Sequence, residues 1–203
     1  MKFGIARWAA ALGLWPSVSF AHGMGNSVGY QLTLESMLES INSPVIPLLL
    51  IGFAVLAGTS GADRARLAAG FFVAGLLAGI PAATALGAYG AIGGLIVGAL
   101  CSLVAAASLS ATPRFVLPGL SFVAGLVATI YNLDGHAVPS LPIAVHFGVV
   151  LGPFITGLAL ASWIVLILET NQKGWVRILF RIFSSWCFAA NVIYLAFQVK
   201  SGG

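Results

Sequence analysis

The chain has 203 residues, 60% hydrophobic and only 7% charged, with a formal net charge of +4 and a mean hydropathy of +1.05. This composition excludes an ordinary soluble domain and marks an integral membrane protein. The basic residues are spread thinly, without the clustering that grips nucleic acid, so they read as topology signals.

Residues 1–21 read as a cleaved signal peptide. Lys2 and Arg7 form the positive leader, 8–15 an apolar stretch, and Ser19-Phe20-Ala21 a small-x-small cleavage site. The stretch falls short of the roughly 20 residues a span needs, and Pro16 interrupts it. The mature chain, 22–203, is then a single membrane domain that begins with His22 outside the cytoplasm.

Next comes an amphipathic helix over 31–41. It carries Glu35 and Glu39 on one side and Leu34, Met37, Leu38 and Ile41 on the other, and is expected to lie on the outer surface. Six apolar segments follow, at 44–60, 67–87, 88–110, 114–131, 141–169 and 175–199. Such runs must be helical in lipid, and the alternation of a β-barrel is absent. The expected fold class is all-α, a polytopic membrane bundle with six transmembrane helices. An outer N-terminus places Arg64, Arg66, Arg114, Lys173, Arg177 and Arg181 on the cytoplasmic side and only Lys200 outside, in accord with the positive-inside rule.

Gly75/Gly79, Gly90/Gly94/Gly98 and Gly148/Gly152 recur every four residues, the spacing of close helix contacts. Their expected role is packing within the bundle, with a homo-oligomer interface as the alternative. Cys101 and Cys187 lie in apolar runs and read as packing residues. Ser184, Ser185 and Asn191 are expected to hydrogen-bond between helices, and Arg177 and Arg181 to anchor the last helix at the cytoplasmic headgroups.

With this topology all three histidines, and Glu35, Glu39 and Asp134 among the five carboxylates, face outward. Imidazole with carboxylate suits Ni²⁺, Co²⁺, Zn²⁺ and Cu²⁺. Asp134 and His136 share a short loop in which Gly135 allows a sharp turn, and His146 follows in the next helix. These three form a candidate metal site at an outer vestibule. A solvated loop with one hydrogen-bonded histidine is the plainer alternative. His22, if it begins the mature chain, adds an amine-imidazole chelate beside Met24. Nothing resembles a nucleophile–base pair, a zinc-protease helix or a nucleotide fingerprint, so catalysis is not expected.

The layout of signal, spans and outer histidines, with the closing segment Gly174-Trp175-Val176-Arg177-Ile178 … Arg181-Ile182 … Ser185-Trp186, resembles the HupE/UreJ family of hydrogenase and urease accessory proteins. The layout matches over the mature chain, the wording only from 174 onward. The resemblance implies a nickel or cobalt permease that supplies metalloenzyme maturation, the metal being cargo and no permanent cofactor. The family's first-span signature, His-Pro-x-x-Gly-x-Asp-His, is replaced here by Asn42-Ser43-Pro44-Val45-Ile46-Pro47-Leu48-Leu49. Its second histidine motif survives only as Gly135-His136-Ala137, so His136 alone carries over. Carbonyls freed where Pro81, Pro118 and Pro153 break their helices are the expected inward path. The alternative function is a non-transporting subunit or assembly factor that docks a membrane complex through the glycine faces.

Overall fold

A computed structural model describes residues 29–107, 114–171 and 174–201. Residues 1–21, read as a signal peptide, and His22 lie outside these residues. Helices α1 (Tyr30–Asn42), α2 (Val45–Thr59), α3 (Ala62–Leu86), α4 (Gly90–Ala107), α5 (Val116–Asn132), α6 (Ile143–Thr170) and α7 (Gly174–Ser201) follow one another, with 3₁₀ turns at Gly87–Tyr89 and Val138–Ser140. Among the described residues there is no strand.

Among the described residues, three helical stretches are long and apolar enough to cross a membrane: Ala62–Ala107, Ile143–Thr170 and Gly174–Lys200. A fourth is reached if α1 and α2, bent by 78°, are taken together. Alone, the 15 residues of α2 rise about 22 Å, short of the roughly 30 Å hydrocarbon core. Helix α5 is apolar but has only 17 residues.

Packing contacts show that Ala62–Ala107 is no single rod. Gly75 lies against Phe122 and Leu126, and Gly79 against Leu126 and Thr129, so α3 and α5 run parallel. Gly90 meets Tyr131 while Gly93 and Gly94 meet Val127, so α4 runs antiparallel to α5. The chain therefore reverses at Gly87–Tyr89. The same reasoning sets α4 parallel to α2 (Gly98 against Leu49, Gly94 against Val45), α6 parallel to α2 (Gly157 against Leu50, Ile164 against Gly58) and α7 antiparallel to α4 (Asn191 against Gly98, Arg181 bonded to Ala106). Helices α2 to α7 thus alternate in direction.

The core centres on Phe53 and Phe72, fully buried and stacked with centroids 4.3 Å apart, among Leu49, Leu50 and Leu76. The exterior is equally apolar: Leu77, Leu100, Phe147, Trp163, Leu179, Trp186 and Phe197 are exposed. Water would not tolerate such a surface, but lipid would. Tyr30 and Tyr89 stand at one end and Phe115 and Trp175 at the other, as interfacial aromatics do. Arg64, Arg66, Arg114, Arg177 and Arg181 gather at the end bearing Phe115, and Lys200 at the opposite end.

The glycine faces are spent inside the bundle, as expected. Gly148 and Gly152 receive Ser36, Ser40 and the backbone of α1 at Met37, and Gly58 receives Ala161 and Ile164. Cys101 and Cys187 are buried and unpaired.

Helix α1 buries Leu32, Ser36 and Ser40 against α6 and leaves Leu34 and Leu38 exposed. Small serines opposite glycines let the backbones approach, which leucines would prevent. Two expectations, for the prolines and for the polar groups of α7, are corrected. The prolines do not break helices, because Pro81 and Pro153 lie within α3 and α6, and Pro118 sits in the first turn of α5, where no N–H is needed. The polar groups of α7 bond within their own helix: Ser184 to Phe180, Ser185 to Arg181 and Asn191 Nδ2 to Cys187, each donating to the carbonyl four residues back. Asn191 Oδ1 instead lies 2.6 Å from where a Cβ of Gly98 would stand, against its Cα–H.

Candidate functional site

Helix α1 ends at Asn42 because Pro44 biases Ser43 toward extended backbone, and Ser43 indeed has ψ 144°. Ser43 then organises the break. Its hydroxyl accepts from the Val45 N–H at 3.2 Å and donates to the Tyr131 hydroxyl at 2.9 Å, tying the start of α2 to the end of α5. Tyr131→Phe is therefore expected to cost about 1 kcal/mol, read as a lowered melting temperature in detergent. Ser43→Ala should cost about as much, and the double variant little more than either single one.

Beyond Tyr131 the chain turns through Leu133 and Asp134, whose amides donate to the carbonyls of Thr129 and Tyr131. Gly135 takes φ 73°, a conformation open to few side chains, and His136 closes the turn by donating to Leu133 O. The expected sharp turn at Gly135 is present.

Between this loop, the α1–α2 break and the start of α6 lies a cavity of about 300 Å³. Its polar wall comprises Glu39, Ser36 and Ser40 of α1, Ser43, Tyr131, Asn132, Asp134 and His136, while Leu133, Leu141, Val145 and Val149 form the apolar floor. Two carboxylates line it, with no lysine or arginine among its lining residues. The C-terminal ends of α1 and α5 and the N-terminal ends of α2 and α6 all adjoin it, so the helix dipoles largely offset one another and the two carboxylates set the sign. Asn132 Nδ2 is buried in this wall without a hydrogen-bond partner. The electrostatics favour a cation.

His136 is oriented for such a role. Its Nδ1 lies 2.9 Å from the Asp134 carbonyl oxygen, which can only accept, so Nδ1 donates and Nε2 is the nitrogen left to meet a ligand. His146 is similarly held, Nδ1 3.2 Å from Pro142 O, but it does not line the cavity. The structure thus brings Asp134 and His136 together and leaves His146 outside their pocket. Among the described residues no three His, Cys, Asp or Glu side chains stand close enough to share one metal ion.

The sequence places Glu39 beside Glu35 on the polar side of the amphipathic helix and does not join it to Asp134 and His136. Its place one turn before the Ser43-Pro44 break was the available signal, because a helix that stops there delivers its last carboxylate to the break. Comparison with family models, curated proteins and solved structures gives no match.

Proposed function

We propose that the chain is an inner-membrane protein of six transmembrane helices, both mature termini periplasmic, that captures a divalent transition-metal cation at the outer pocket and passes it inward. Nickel and cobalt are the first candidates, destined for metalloenzyme maturation. The observation that carries this reading is the convergence of Glu39, Asp134 and His136 on one cavity whose wall holds no lysine or arginine. The alternating directions of α2 to α7 and the arginines gathered at one end support the topology.

With fewer than three close ligands, the ion keeps much of its water shell and is held weakly. Weak binding suits passage, since a conducting site must release what it binds. Deeper in the bundle, Ser102 Oγ and Asn191 Oδ1 are buried without a hydrogen-bond partner near Gly98 and offer oxygens to a crossing cation. The docking alternative is less favoured, because the glycine faces it would use already pack against other helices of the chain.

Uptake of radioactive nickel and cobalt by cells carrying the protein tests this reading. Uptake should exceed the empty-vector control, fall in His136→Ala and persist in His146→Ala at equal expression. Wild-type protein that inserts well yet takes up neither metal would sink the proposal and turn attention to partner capture.

A further inference from the structure

The opposite end of the bundle holds a larger cavity, about 480 Å³, with a different character. Arg64 of α3 and Arg177 and Arg181 of α7 line it, with Glu169 the one carboxylate in its wall. Leu56, Val104, Val165 and Leu168 supply apolar surface beside them. Both kinds of helix end adjoin this cavity, so their dipoles largely offset one another and the guanidiniums set the sign.

Arginines on a cytoplasmic rim ordinarily serve as topology anchors, each pointing its charge to the headgroups. Three features go beyond that role. Residues more than a hundred positions apart in sequence converge on one concavity instead of spreading round the rim. Arg181 is fixed, its Nε donating at 3.1 Å to the Ala106 carbonyl at the end of α4. None of the three is ion-paired to a described carboxylate, whereas nearby Arg66 pairs with Asp63. Arg177 and Arg181, one helical turn apart, repel each other unless a counter-charge lies between them.

We propose that this pocket binds a phosphate-bearing anion, gripped by the forked donors of Arg64, Arg177 and Arg181. Guanidinium matches phosphate oxygens two at a time. The apolar half of the wall fits the glycerol and first acyl carbons of an anionic phospholipid, so a lipid headgroup is the expected source.

Native mass spectrometry of the detergent-purified full chain, titrated with phosphatidylglycerol, phosphatidylcholine or inorganic phosphate, tests the proposal. Wild-type protein should retain phosphatidylglycerol about tenfold better than the Arg64→Gln/Arg177→Gln/Arg181→Gln variant and better than it retains phosphatidylcholine. Arg66→Gln should bind as wild type. The corresponding triple lysine variant keeps the charge that directs insertion, and should bind more weakly than wild type because the fork is lost. Displacement of lipid by millimolar inorganic phosphate would support the phosphate site with a soluble anion as its source. Equal retention of both lipids, or equal binding by the lysine, glutamine and wild-type proteins, would overturn it.

Discussion

Replacing both Gly75 and Gly125 by alanine is expected to keep α3 from packing on α5 and to remove about 3 kcal/mol or more of stability. The two glycines face each other's helix reciprocally. A Cβ on Gly75 would overlap the Phe122 carbonyl, and one on Gly125 the Phe72 carbonyl. In both cases the obstacle is backbone, so no side-chain rotation relieves it and the helices must separate. Separation would in turn loosen Phe72 against Phe53 and lengthen the bond from Thr129 Oγ1 to Leu76 O, now 2.9 Å. Thermal unfolding in detergent, followed by circular dichroism, provides the measurement. Gly70→Ala and Gly119→Ala meet nothing within 4 Å and should be neutral or gain up to about 1 kcal/mol from helix propensity. A double variant as stable as those controls would show that the α3–α5 crossing is wrong.

The Glu39→Gln/Asp134→Asn variant is expected to lower cation capture by about two orders of magnitude with little change in fold. Both side chains are exposed, and each amide keeps the shape of its acid while removing the charge. A divalent ion about 5 Å from a carboxylate, with water between, gains about 1.7 kcal/mol, so two carboxylates contribute a little over 3 kcal/mol. At 1.4 kcal/mol per tenfold, each single variant should lose about tenfold. Nickel binding to purified protein by isothermal calorimetry at low salt reads this loss directly. Because the contacts are solvent-exposed, moderate salt should weaken wild-type binding and narrow the gap between wild type and variant. Unchanged affinity in the double variant would remove the outer pocket from consideration.

Helix positions were largely legible because lipid-facing and core residues are both apolar, and long unbroken runs announce themselves. The segment expected at 141–169 is α6 at Ile143–Thr170, and 114–131 is α5 at Val116–Asn132. Helix α3 starts earlier than its apolar run because Asp63, Arg64 and Arg66 complete its first turns in the exposed region. Which face of α1 packs was not legible. Leu34 and Leu38 mark an apolar face for the membrane surface, and only the pairing of Ser36 and Ser40 with Gly148 and Gly152 shows which face meets α6. The candidate site was half visible. Asp134-Gly135-His136 stands out as a polar loop, whereas Glu39 joins it only through the bend at Ser43-Pro44, which no local periodicity reports.

The order in which the helices find partners bears on how the chain is made. Helices α3 and α4, joined by a three-residue turn, scarcely touch, and α6 and α7 do not form a packed hairpin either. The intimate pairs skip along the sequence: α3 with α5, α2 with α4 and α6, α4 with α7, and α1 with α6. Apart from the antiparallel pair α4 and α5, a nascent chain therefore does not settle hairpin by hairpin as it leaves the ribosome. Helix α1, which carries Glu39, has little to hold it until α6 has been synthesised and inserted more than a hundred residues later. The outer pocket is thus among the last parts to assemble, and a chain truncated before α6 would display Glu39 without the floor that α6 supplies.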